Sequence, residues 1–170
     1  SIGLAAAGTG NIPVFISSNT DTLVQLANIT AVPTLNGCVG KAQSFTISIQ
    51  PKAKVIAPAD ISTCADEFIP PQLVQLIPSA ASLTWTNSNP ANGLSLSGNG
   101  AIPGFIAKNN TGNSSVGVVT IRPTFASCPG TDASFKITVL PRPKADFTYS
   151  PNPATILNST IFFEQTSLYA

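Results

Sequence analysis

Shifted by 90 positions, the chain matches itself: Gly3 to Lys54 align with Gly93 to Lys144 without a gap, and 19 of the 52 positions are identical. The matches include Gly3-Leu4 with Gly93-Leu94, Ile12-Pro13 with Ile102-Pro103, Phe15-Ile16 with Phe105-Ile106, Pro33-Thr34 with Pro123-Thr124, Cys38 with Cys128, Gly40 with Gly130 and Ser44-Phe45 with Ser134-Phe135. Glycine and proline are prominent among them, residues whose backbone demands are specific, together with apolar side chains suited to a core. Self-similarity at this period predicts domain-sized tandem units. On this register residues 1–54 are the C-terminal part of one copy, 55–144 a complete copy, and 145–170, which do not align with the segment after Lys54, the first strands of a different, truncated unit. The chain is therefore expected to be a piece of a longer protein, an expectation that the absence of methionine reinforces.

Within the complete copy, alternation and chain breakers predict strands near 54–57, 68–75, 82–87, 94–98, 102–108, 116–125 and 134–140. Phe135, Ile137 and Val139 alternate with Lys136 and Thr138, so one face of that strand is expected in a core and the other in water. The 15 prolines and 12 glycines interrupt every apolar run well short of the ~20 residues of a spanning helix. The fold class is all-β, read as tandem immunoglobulin-like antiparallel β-sandwiches. Pro141-Arg142-Pro143 and its counterpart Pro51-Lys52-Ala53 close each copy, as extended joints in a stalk.

Composition removes most chemistry. Charged residues make up 9% and the net charge is +1, so no strong field is present to attract nucleic acid. The chain has no histidine, which takes away the commonest general base and metal ligand and the usual serine triad. It is read as not an enzyme, with no cofactor. Asp60, Asp66, Glu67 and Asp132 bracket two cysteines and raise a calcium site as a minority reading against ordinary loop acids. Trp85, flanked by Thr84 and Thr86 in an alternating strand, is read as a core anchor, with an exposed sugar-stacking platform as the alternative. Gly98-Asn99-Gly100 is read as a tight hairpin turn, not a phosphate loop.

In order along the unit stand Cys64, Leu83-Thr84-Trp85-Thr86, Gly98 to Pro103, Cys128-Pro129-Gly130, and Phe135 to Val139 followed by Pro-x-Pro. That order resembles the PKD-like repeats of Bacteroidota surface proteins, and 145–170 is similar to the opening strands of a PKD domain. The resemblance implies a large adhesin for surface attachment and gliding motility, exported by the type IX secretion machinery and held extracellularly at the outer-membrane surface. Its implied partner is an extracellular surface or polysaccharide, with no nucleic acid and no membrane insertion. The alternative is a spacer or carbohydrate-binding sandwich of a type IX-secreted enzyme.

Repeat arithmetic makes Cys38 and Cys128 equivalent, while the counterpart of Cys64 would fall before Ser1. The expectation is a Cys64–Cys128 disulfide with Cys38 unpaired, against the alternative of three free thiols. Asp21-Thr22-Leu23 resembles the O-glycosylation signal of Bacteroidota exported proteins, which implies a glycan on Thr22, against a plain Asp21 turn. The 145–170 segment is expected to be ordered only when a further strand pairs with it.

Overall fold

The structure is a computed structural model, and it describes residues 2–157 and 159–168. It is all-β, with one 3₁₀ turn at Pro90–Asn92 and no α-helix among the described residues. Two compact units are formed, one from residues 1–56, 75–83 and 122–133, the other from 57–74, 84–121 and 134–170.

In the first unit β1 (Gln25–Ala31) pairs antiparallel with β4 (Gln43–Ile49), from Gln25 opposite Ile49 to Ala31 opposite Gln43. Between them β2 (Thr34–Leu35) and β3 (Cys38–Val39) form a hairpin tip. Its two-residue turn, Asn36-Gly37, takes positive φ at both positions, the requirement of a type I′ turn, and Asn-Gly is the pair best able to meet it. Strand β5 (Lys54–Ile56) follows the joint.

The complete copy continues through β6 (Ile61–Cys64), β7 (Phe68–Ile69), β8 (Gln75–Ile77), β9 (Ser82–Asn87), β10 (Ser97–Asn99), β11 (Phe105–Ile106), β12 (Ser115–Phe125), β13 (Cys128–Pro129) and β14 (Ala133–Leu140). The main sheet has the order β10-β9-β12-β14-β6, with β13 paired to the end of β12. Strand β6 runs parallel to β14, from Ile61 opposite Ile137 to Cys64 opposite Leu140. Smaller pairs are β5 with β8 in the first unit and β7 with β11 in the second. The second unit's core contains Trp85, Leu94, Ile102, Val119, Ile121, Phe135, Ile137 and Val139, all buried. Each such large side chain contributes roughly 1.5–3 kcal/mol on leaving water.

Two local expectations are corrected and one strand is added. The 68–75 run is broken at Pro70-Pro71, where two residues without an N–H cannot continue a ladder, so β7 and β8 pair in different sheets. Strand β6 has no prior signal, because Ile-Ser-Thr-Cys is too short to show a period. Gly98 and Asn99 lie within β10, opposite Trp85 and Thr84, so they are not a hairpin turn; only Gly100 of that trio takes positive φ.

Strands β15 (Phe147–Ser150) and β16 (Phe162–Gln165) form an antiparallel hairpin. Lys144 and Leu168 extend it by exchanging two backbone hydrogen bonds of 2.9 Å. Every residue of both strands is exposed.

Candidate functional site

The bonds of the two copies recur at the 90-residue offset. Asn19 Nδ2 donates to Leu23 O and Ile49 O at 2.9 and 2.8 Å, and Asn109 Nδ2 donates to Asn113 O and Val139 O at 2.8 Å each. Ser18 N donates to Ile2 O at 3.0 Å and Lys108 N to Asn92 O at 2.9 Å. Gly40 N donates to Pro33 O and Gly130 N to Pro123 O, both at 2.8 Å. Gly3 and Gly93, both at positive φ, lie so close to the carbonyls of Ile16 and Ile106 that a Cβ would overlap them.

The joint is the place where this repetition produces an assembly. At the tip of the complete copy, Pro123 to Gly130 form a socket that receives Pro51 to Lys54. Thr131 N donates to Ala53 O at 3.0 Å, Lys54 bridges in parallel to Thr131, and Ala53, Pro51 and Pro123 are fully buried. Gly130 is required there, since a Cβ would overlap the Ala53 carbonyl. The equivalent place in the first copy is a shallow groove of about 270 Å³ lined by Pro33, Thr34, Leu35, Cys38, Val39 and Gly40.

A second constellation is buried and polar. Asn87 Nδ2 donates to Asn92 Oδ1 at 3.1 Å and to Leu94 O at 2.9 Å, Leu94 N donates to Asn92 Oδ1 at 3.0 Å, and Asn89 N donates to Asn87 Oδ1 at 3.1 Å. The first copy has Ile2 where the second has Asn92, so this network belongs to the complete copy. Its signal in the sequence is the Asn87-x-Asn89-x-x-Asn92 spacing around a proline, which the repeat register does not highlight.

The residues singled out from the sequence do not converge. Trp85 is buried on β9. Thr22 lies exposed in a bend beside Asp21. The acids are spent separately: Asp60 accepts from Lys136 N at 2.7 Å, Glu67 pairs with Arg142 at 2.9 Å, with Asp66 at 4.0 Å from the same guanidinium, and Asp132 pairs with Arg122 at 2.7 Å. No group of three metal-ligating side chains is found among the described residues. The Arg122 hydrogen bonds, more than its charge, hold the Asp132 carboxyl below the usual carboxylate range.

The expected Cys64–Cys128 disulfide is corrected: Cys38, Cys64 and Cys128 are all free and exposed. Cys64 sits opposite Leu140, the last residue of β14, whereas Cys128 lies before Ala133, the first. At ~3.3 Å per residue that strand separates the two ends by roughly 20 Å, far beyond the ~7 Å limit between bridged Cα atoms.

Compared with known proteins, the chain matches no family model and no curated protein. No helix is long and apolar enough to cross a membrane among the described residues.

Proposed function

We propose that the chain is a non-catalytic structural and adhesive segment, made of tandem immunoglobulin-like β-sandwiches of the PKD-like kind, within a large cell-surface adhesin. The observation that carries this reading is the recurrence of one set of backbone and asparagine bonds 90 residues apart, joined through the Ala53 socket. A protein that must act at a distance gains from identical modules with docked joints, because each added copy extends reach without new chemistry. The sparse charge and the many exposed Ser, Thr and Asn side chains suit a surface hydrated by hydroxyls and amides, and a glycan on the exposed Thr22 would add to it. In this reading the protein is outer-membrane associated and extracellular, is delivered by type IX secretion and serves attachment and gliding. Its partner is an extracellular surface or polysaccharide.

The alternative, a carbohydrate-binding or spacer region of a secreted enzyme, draws on the hairpin β15–β16. The Phe163 ring lies 5.8 Å from that of Phe147 and 6.2 Å from that of Tyr149, and all three are exposed. The deciding experiment coats beads with the 170-residue chain and measures retention on glass, on hydrophobic surfaces and on a panel of polysaccharides. Adhesion that survives Phe147→Ala and Tyr149→Ala supports the adhesin reading; retention on polysaccharide alone, lost with those rings, transfers support to the alternative. No retention on any surface overturns both.

A further inference from the structure

We propose that the Asn36-Gly37 turn at the tip of the β2–β3 hairpin is a site of spontaneous deamidation, where Asn36 passes through a cyclic imide to aspartate and isoaspartate. The reaction needs an asparagine side chain in water, a following residue with no side chain to crowd the ring closure, and a backbone nitrogen that no carbonyl holds. The sequence carries three Asn-Gly pairs, at 36–37, 92–93 and 99–100. The fold treats them differently.

Asn92 is sealed. It is 0% exposed, its Oδ1 accepts from Asn87 Nδ2 at 3.1 Å and from Leu94 N at 3.0 Å, and Gly93 N donates to Pro90 O at 3.3 Å. Asn99 is exposed, but it belongs to β10 opposite Thr84, and the neighbouring Gly98 packs against the Trp85 indole, so ring closure there has to break the ladder. Asn36 and Gly37 lie outside any strand and are both exposed. The Asn36 side chain makes no hydrogen bond and Gly37 N meets no carbonyl among the described residues, and no atom lies within 4 Å of the place a Cβ on Gly37 would take. Only two residue pairs, Thr34 with Val39 and Leu35 with Cys38, restrain the tip, so it opens locally without disturbing the rest of the sheet. The exposure is a property of the turn itself: in the complete copy, where Pro51 to Lys54 fill the adjoining socket, the equivalent Ala126 and Ser127 are still exposed.

In the first step the electron pair of the deprotonated Gly37 amide forms a bond to Asn36 Cγ, and the Cγ–Nδ2 bond breaks, releasing ammonia with the proton that the amide gave up. Water then adds to one carbonyl of the five-membered imide and breaks its bond to the Gly37 nitrogen. Opening at Cγ gives aspartate. Opening at the main-chain carbonyl of residue 36 gives isoaspartate, whose backbone runs through the former side chain. Either product takes the net charge of this chain from +1 to zero. Isoaspartate also lengthens the turn by a methylene, which ends its two-residue type I′ form. The complete copy supplies an internal contrast, because Ala126-Ser127 holds positive φ at both positions with residues that cannot form the imide. One copy has the turn that is conformationally favoured and chemically perishable, the other the strained and durable one. The inference concerns the lifetime of the hairpin and is independent of what the protein adheres to.

The test incubates the folded 170-residue chain at mildly alkaline pH, below its unfolding temperature, and follows intact mass, isoelectric focusing and peptide maps over time. A gain of one mass unit is expected first in the peptide containing Asn36, split between aspartate and isoaspartate, with Asn92 unreacted. In urea the three pairs should react at similar rates, which isolates the fold as the source of the selection. Asn36→Ala with Gly37→Ser, the complete copy's own pair, should abolish the gain at the tip. Ala126→Asn with Ser127→Gly should create a second reactive site at the equivalent turn. An unchanged mass at Asn36 in the folded chain, faster reaction at Asn92 or Asn99 than at Asn36, or an inert grafted pair overturns the proposal.

Discussion

Trp85 and Gly98 are cross-strand partners on β9 and β10, and the six-membered ring and Nε1 of the indole fill the space that a Cβ at position 98 would occupy. The glycine is thus selected by the tryptophan. Gly98→Ala forces the indole out of its seat, and overpacking of this type costs about 1–3 kcal/mol. Trp85→Ala leaves a cavity and costs about 3–5 kcal/mol. Because Trp85 is the only tryptophan, its emission in a denaturant titration reports the complete copy alone, and Gly98→Ala is expected to shift the midpoint downwards and the native emission to the red.

The turn at Ala126-Ser127 does the work of Asn36-Gly37 with poorly suited residues. Both Ala126 and Ser127 have positive φ, at 47° and 64°, where an L side chain other than Asn or Asp is disfavoured by about 1–2 kcal/mol. The first copy supplies the remedy in its own sequence. Ala126→Asn with Ser127→Gly should stabilise the complete copy by about 1–2 kcal/mol in total. Urea unfolding followed at Trp85 checks it, and an unchanged midpoint refutes it.

How much of this was legible beforehand depends on the kind of residue. The register was written in Gly, Pro, Cys and Phe, and the alternation of Phe135, Ile137 and Val139 announced a half-buried strand. Pairing between distant segments was not legible: nothing in Ile61 to Cys64 says that it runs parallel to β14, because a parallel partner lies far off in sequence and leaves no turn signal. The cysteines misled for a related reason. Repeat arithmetic assigns equivalence but not proximity, and the length of β14 intervenes. The Gly98 misreading came from taking glycine as a turn residue when its cause was a neighbour's bulk.

The buried asparagines make a sharper prediction. Gly117 faces Asn87 and Asn92, and a Cβ there would come within 2.6 Å of Asn92 Nδ2 and 2.9 Å of Asn87 Oδ1. The first copy carries Ala27 at the position equivalent to Gly117 and Ile2 at the position equivalent to Asn92. Gly117→Ala should therefore destabilise the complete copy by about 1–3 kcal/mol. Asn87→Ala should cost a comparable amount, because the buried Leu94 carbonyl loses its side-chain donor and Asn92 loses a partner. Thermal unfolding of each variant measures it, and values within error of the parent would show the network to be dispensable.

The thiols give a prediction that contrasts two states directly. With Cys38, Cys64 and Cys128 exposed and free, three equivalents of a maleimide should add to the native chain without denaturant. Reductant should leave the unfolding temperature unchanged. A mass two units below the reduced chain, or labelling limited to one thiol until unfolding, would restore the disulfide.

Acid should act on one surface pair. The Asp132 carboxyl accepts Arg122 Nε at 3.0 Å and Arg122 Nη2 at 2.7 Å, and these bonds lower its pKa in the folded chain. A lowered folded pKa means that the unfolded chain takes up the proton first as pH falls. The pair's contribution is therefore complete above the ordinary carboxylate range and is lost as pH drops through the depressed folded value. Both side chains are open to solvent, so the effect is small and weakens with salt. Through the neutral region no histidine exists to add a slope of its own. The contribution of this pair should stay level from pH 7 downwards until Asp132 takes up its proton in the unfolded chain, and then fall. Asp132→Asn should be slightly less stable than the parent at neutral pH, with the gap closing on acidification. A gap that widens as the pH drops would mean that Asp132 is held by something other than the Arg122 pair.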